Sequence, residues 1–198
     1  RRRGILEYRQ GRYAEALPLF RAARARAAER DDAVTLGQSD NDIGNALRRI
    51  GSYREALESY LSSLDFKRRA GDKQLGALLT NLGDLYRDLG DIAASRSRYA
   101  EALKDYEAAG RKLDYAHTLD ALGTLMLDAK DFDAAASYLD SARTAFAALG
   151  ARPDELRICA RLARLALDRD DVPAATVALD RGMALATEMN LPPSADLS

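Results

Sequence analysis

Tryptophan is absent from this 198-residue chain, cysteine and histidine occur once each, and only five prolines interrupt it. A single cysteine, Cys159, excludes an internal disulfide framework, and one Cys with one His cannot assemble a Cys/His metal site. Val, Ile and Thr are scarce, so the residues that favour pleated strands are missing. No apolar run approaches the ~20 residues of a membrane span, and no signal-peptide pattern opens the chain. No membrane association is expected, and a reducing, cytoplasmic setting is. The formal net charge of -1 gives no general attraction to nucleic acid. It hides an asymmetry: residues 1–70 carry 15 Lys/Arg against 10 Asp/Glu, and the other 128 carry 15 against 21. Chemistry finds no foothold either. The glycines never cluster as a phosphate loop, one His leaves no Ser-His-Asp arrangement, and the pairs Asp31-Asp32 and Asp170-Asp171 suit helix starts. Neither an enzyme nor a cofactor is expected.

What the chain has is Ala, Leu, Arg, Glu and Asp in quantity, a composition that favours helix. It also has a period. Turn positions at Gly11, Gly51, Gly90, Lys130 and Asp170 are spaced by 40, 39, 40 and 40 residues. Seven residues before each stands Gly4, Gly44, Gly83, Gly123 or Ala163. Apolar residues around that small residue (Ile43 and Leu47, Leu82 and Tyr86, Leu122 and Met126, Leu162 and Ala166) fall on one stripe of a helix, here helix A. The small residue lets a neighbouring helix approach closely. Two residues after each turn stands Tyr13, Tyr53, Ile92, Phe132 or Val172. Nine after stands Phe20, Tyr60, Tyr99, Leu139 or Leu179. With small residues between them, these make a second amphipathic helix, B, able to interlock with the first. A fixed period of this size signals a repeat array.

The helix ends agree. Gly71, Gly110 and Gly150, with Asn190 in register, stand where helices close in a left-handed cap. Asp72 is an N-cap candidate, Ser52 through Glu55 has the form of a capping box, and Pro153 suits a first helical turn. The spacing predicts helices over 13–30, 33–50, 53–70, 73–89, 92–109, 112–129, 132–149, 153–169 and 172–189: nine full helices after a partial first one, and no strand. Each would run roughly 26 Å.

The Gly44, Gly83 and Gly123 positions, the Gly-x-Tyr turn, and the Ala and Tyr/Phe positions of helix B resemble the tetratricopeptide repeat (TPR). "GRYAEALPLF" at 11–20 and "NLGDLYRDLGD" at 81–91 lie close to the family pattern. The period of about 40 exceeds the usual 34, and the early Trp and closing Pro are missing. Longer helices account for these departures, and the chain is similar to the extended TPR variety of kinesin light chain, spindle G-protein modulators and bacterial TPR regulators. The resemblance implies an all-α solenoid of antiparallel helix pairs, a right-handed superhelix. It would be one array over 1–198, with repeats near 1–31 (partial), 32–71, 72–110, 111–150 and 151–190, and a tail at 191–198. Because the chain opens on Arg1-Arg2-Arg3 inside a repeat, a fragment of a larger protein is expected.

In such a superhelix the helix-A faces line a concave groove. The positions falling there are Gln38, Asn41, Asp42, Asn45, Arg48 and Arg49, then Thr80, Asn81, Asp84, Arg87 and Asp88. His117, Asp120, Thr124 and Asp128 follow, then Arg157, Arg161 and Arg164. Asn amides both donate to and accept from a peptide backbone, and Arg pairs with carboxylates. Asn45 and Asn81 occupy family positions that often hold peptide main chain. The expected function is a non-catalytic scaffold binding a peptide or helical segment of a partner protein. The alternative is a ligand-sensing or self-association segment of a larger bacterial regulator, and exposed repeat ends could also carry a homodimer. Solvation alone would also make these helix faces polar. His117 reads as an ordinary exposed helix residue and Cys159 as a buried, inert thiol. The basic run from Arg1 to Arg30 reads as a solvated helix face, and the tyrosines read as core.

Overall fold

The computed structural model describes residues 1–190; the expected tail at 191–198 lies outside them. Two compact units divide the chain, Arg1–Ala109 and Gly110–Ser198. The first holds α1 (Arg2–Arg9), α2 (Tyr13–Ala28), α3 (Ala33–Arg49), α4 (Tyr53–Arg69), α5 (Gly76–Asp88) and α6 (Ile92–Ala108). The second holds α7 (Lys112–Asp128), α8 (Phe132–Ala148), α9 (Arg152–Leu167) and α10 (Val172–Glu188). All described secondary structure is helical, with α1 the partial first helix of 8 residues.

Each helix end is built to start the next one. At the end of α5, Gly90 N–H donates to Arg87 C=O and Asp91 N–H to Tyr86 C=O, the double bond of a Schellman cap. Asp91 then serves as N-cap of α6, its carboxylate accepting from Ala94 N–H. Asp32, Asp131 and Asp171 cap α3, α8 and α10 in the same way. The left-handed residue is Gly at six ends and Asp31, Lys130, Asp170 or Asn190 at four. Asp31 thus takes the cap position in register with Gly71, and only its neighbour Asp32 opens a helix.

Antiparallel pairing follows from the small residues of helix A. Gly37 of α3 lies against Phe66 of α4 and Gly44 against Tyr60, so residue numbers rise along one helix as they fall along the other. In the first four repeats the residue seven before the turn meets the residue nine after it: Gly4 with Phe20, Gly44 with Tyr60, Gly83 with Tyr99, Gly123 with Leu139. Tyr60, Tyr99 and Leu139 are fully buried there. Glycine inside a helix costs about 1 kcal/mol relative to Ala, and the ring or isobutyl group packed on its Cα offsets that. The fifth repeat departs from the frame. It has Ala163 for the glycine, and Leu179 is 48% exposed.

Three local expectations are corrected. Helix α5 starts at Gly76, not 73. Asp72 is not its cap, because its carboxylate binds Lys67 Nζ at 2.5 Å and Gln74 N–H at 2.8 Å. The N–H groups of Leu75 and Gly76 are satisfied instead by Asp105, reaching from α6 at 3.3 and 2.8 Å. Finally, Ser52 makes no side-chain cap, so the box at α4 does not form.

Candidate functional site

The expected site residues lie on the polar face of helix A. In the first unit that face belongs to α1, α3 and α5. Arg48 on α3 reaches α5, donating to Asp88 at 2.6 Å and Asp84 at 2.8 Å. Asn81 Nδ2 on α5 donates back to Asn41 Oδ1 at 3.0 Å. Arg1 makes the equivalent step from the start of α1, to Asp42 and Gln38, each at 2.6 Å. Partners are 36 to 41 residues apart, one repeat period. The expected groove residues therefore form rungs that tie consecutive repeats together.

Helix B orients the same residues from beneath. Tyr60 OH donates to Asn45 Oδ1 at 2.7 Å, and Tyr99 OH to Asp84 Oδ1 at 2.5 Å. Burial raises both phenol pKa values, so each hydroxyl keeps its proton and stays a donor. Burial also works against the charge of Arg48, but its hydrogen bond to Asp88 and the charges of Asp84 and Asp88 outweigh that and raise its pKa. Desolvation raises the Asp42 pKa, with Arg1 opposing it. Thr80 donates to Gly76 C=O at 3.0 Å, and Arg87 lies partly buried on the same helix.

Bonding leaves specific groups over. With its oxygen turned to Tyr60, Asn45 presents an Nδ2 that has no partner among the described residues, and the same holds for Asn41 Nδ2. Arg49 is exposed. It donates to Tyr13 OH at 2.9 Å and stacks on that ring at 5.1 Å, with no carboxylate partner among the described residues. A pocket of about 250 Å³ opens between α1 and α3, lined by Ile5, Tyr8, Arg9, Phe20, Asp42 and Asn45. Tyr8 and Arg9 had no place in the sequence-based site. The first repeat is incomplete, and its helix A supplies no expected groove position.

In the second unit the rung is inverted. Asp120 on α7 is buried at 7% exposure, and it accepts from both Arg157, at 3.2 Å, and Arg161 of α9. Arg161 also donates to Thr124 Oγ1 at 3.1 Å, while Arg164 stays exposed beside Asp168 at 2.9 Å. His117 is exposed and packs edge-on against Phe146, ring centroids 5.0 Å apart. Cys159 is buried, and desolvation raises its thiol pKa. Sequence reasoning missed the pairs that buried acids make with partly exposed arginines, Arg24–Asp40 at 2.5 Å and Arg181–Glu155 at 2.7 Å. Asp40 and Glu155 stand in helix-A register rows that other repeats fill with apolar residues. Among the described residues no cluster of His, Cys, Asp and Glu fits a metal ion, and no helix is long and apolar enough to cross a membrane.

Stacked helix pairs whose A-faces are linked at one-period spacing define a helical-repeat scaffold. A family model for the tetratricopeptide repeat matches residues 1–69 and 74–148, and the chain belongs to that family. The fold is similar to that of BtubC (BKLC) from P. vanneervenii, with a TM-score of 0.84 and 21% identity over 98% of this chain and 82% of that one. It is also similar to a putative kinesin light chain of P. anserina with TPR-like repeats (TM-score 0.77, 15% identity, 95% and 93% covered). A Rap protein complexed with Competence and Sporulation Factor shares it too (TM-score 0.77, 15% identity, 96% and 53% covered). No curated protein matches the chain in sequence.

Proposed function

We propose that the chain is a non-catalytic, cytoplasmic binding scaffold whose helix-A face holds an extended peptide or a helical segment of a partner protein. The observation that carries this reading is the fixed amide of Asn45. Tyr60 holds its oxygen inward, which leaves two N–H donors for a partner's main-chain carbonyls. Asn41 supplies a second such amide beside it. The rungs through Arg48 and Asn81 hold these donors in place, so binding orders few side chains and costs less entropy. The second unit has a helix-A face of its own, bearing Arg157, Arg161 and Arg164, with Thr124 and the exposed His117 on α7. Thr80, Asp84 and Arg87 border the Asn41–Asn81 rung. The complex of the structurally similar Rap protein with Competence and Sporulation Factor supports a protein or peptide partner. A formal charge of -1 with paired arginines argues against nucleic acid.

The test compares tagged protein with an Asn41→Ala/Asn45→Ala variant in extract of the source organism, with bound proteins identified by mass spectrometry. A partner recovered by the wild type and lost by an equally stable variant is the expected result. Equal recovery by both overturns the reading.

Self-association is a second reading, favoured by one observation. Along α10, Val172, Leu179 and Met183 are exposed at 62, 48 and 61% on one stripe of the helix. Light scattering over a concentration series tests it, and a monomer at every concentration counts against it.

A further inference from the structure

A groove of about 630 Å³ opens between α8 and α10, on the helix-B side of the second unit. Leu162, Leu165 and Ala166 of α9 form its floor, and the small side chains of Ala136, Ala174 and Ala178 leave it wide. Its lip is Val177, 71% exposed. Seven residues after the turn, where α10 has Val177, helices α4, α6 and α8 have Glu58, Ser97 and Ser137. Pairing of α10 with α9 does not call for this apolar residue, because Ala175 and Leu185 are the side chains it buries. The groove in the same register between α2 and α4 measures about 320 Å³ and is walled by Glu55, Glu58, Ser59 and Ser62.

Charge is arranged around the trough. Arg143 of α8 and Arg181 of α10 stand at one end, thirteen and eleven residues after their turns. Glu155, 2% exposed, accepts from Arg181 Nε at 2.7 Å, which leaves Nη2 without a hydrogen bond among the described residues. Arg143 is held only by the solvent-exposed Asp140 among the described residues, a screened pair that a second carboxylate can join. At the other end Arg169 pairs with Asp133, which projects into water, and Asp171 is spent on Ala174 N–H. Asp140 is thus the one acid left in the wall, against three arginines.

We propose that this groove docks an amphipathic helix of a partner protein, its apolar stripe on Leu162, Leu165 and Val177 and an acidic residue at the Arg143 and Arg181 end. Eight positions separate Pro173 from Arg181 along α10, about 12 Å, the rise of roughly two helical turns. The exposed Val177 marks the open outer side of the groove. A helix brings its own solvated back to that opening, whereas a lipid tail would stay in contact with water there. Arg181 is ordered by Glu155 before binding, so engaging it costs little side-chain entropy. This is a second surface, built from helix B, and it does not depend on the Asn41 and Asn45 face.

Two-dimensional NMR on the full chain tests this through methyl and arginine Nε–H signals. The probes are acetyl-Glu-Ala-Lys-Glu-Ala-Ala-Lys-Leu-Ala-Ala-Leu-Leu-Ala-Lys-Leu-Ala-amide and its counterpart with both Glu replaced by Gln. The Glu peptide is expected to shift the Leu162, Leu165 and Val177 methyls and the Arg143 and Arg181 signals. The Gln peptide should bind about tenfold more weakly, and Arg143→Gln should narrow that difference. Val177→Glu, at an exposed position, should weaken the Glu peptide about tenfold with melting unchanged. No shift, shifts centred on Val172, Leu179 and Met183, equal binding of the two peptides, or unaltered affinity in Val177→Glu overturns the proposal. Groove signals that move with protein concentration alone would make the occupant a second copy, and signals that move on removing residues 191–198 would make it that segment. Either result overturns a partner helix. The Asn41→Ala/Asn45→Ala variant should bind the Glu peptide as wild type does, and weaker binding by it would put the peptide on the helix-A face and overturn the groove.

Discussion

Gly83 lies directly under the ring of Tyr99: a methyl on its Cα would stand 2.6 Å from two ring carbons. The same contact closes Gly44 on Tyr60. The spacing between the helices of a pair is therefore set by an absent side chain.

Gly83→Ala should destabilise the protein although Ala is the better helix former. Overpacking against a fully buried ring costs about 1–3 kcal/mol, against about 1 kcal/mol gained in propensity. Urea unfolding checks this, and a variant as stable as wild type would show that the ring can yield.

Arg48 sits between Asp84 and Asp88 at 18% side-chain exposure. Replacing it with Ala leaves two partly buried carboxylates facing one another, at a cost of about 1–2 kcal/mol. Added salt should narrow the gap between wild type and variant, since the repulsion left behind is screened. Arg48→Lys should fall between the two, because an ammonium lacks the fork that serves both acids. Thermal melts at two ionic strengths measure each step.

Asp105 acts as a cap from a different helix. Asp105→Ala should cost about 1 kcal/mol, the usual loss for a removed cap. It should also speed hydrogen exchange at the start of α5 while leaving α3 unaffected. Uniform acceleration across both helices would contradict a local role.

Asp72 has a depressed pKa, caused first by its hydrogen bond from Lys67 and then by the Gln74 N–H. A carboxylate lowered on folding contributes stability above its unfolded value of ~3.9. That contribution is lost as pH falls through the lower folded value. Asp72→Asn should therefore lower the melting temperature slightly at neutral pH, by about 0.5 kcal/mol of stability. The two proteins should converge in acid. Melting curves from neutral pH down to pH 2 test the sign.

The period alone made the helix pairs legible, because each small residue in helix A matched one large residue in helix B. The left-handed ends at Gly71, Gly110, Gly150 and Asn190 were legible for the same reason, whereas Asp72 and Ser52 have N-cap side chains and form no such cap. What escaped was pairing at a distance. Asp105 capping α5 and Asp40 meeting Arg24 join residues 29 and 16 positions apart in sequence, and no local pattern marks them. The helix-A face was read correctly as polar, but a list of polar positions cannot say which side chains bond each other. Only the structure separates Arg48, fully engaged, from Arg49, which keeps its charge unpaired. Tyr8 and Arg9 were hidden by an incomplete first repeat.

A partner seated on the helix-A face must shield that face from solvent. Hydrogen exchange of the protein with and without its recovered partner measures this directly, provided peptides covering α3 and α5 are resolved from those covering α4 and α6. Protection is expected to concentrate in α3 and α5, together with the side-chain amides of Asn41 and Asn45. Protection confined to α4 and α6, or to α10, would contradict it.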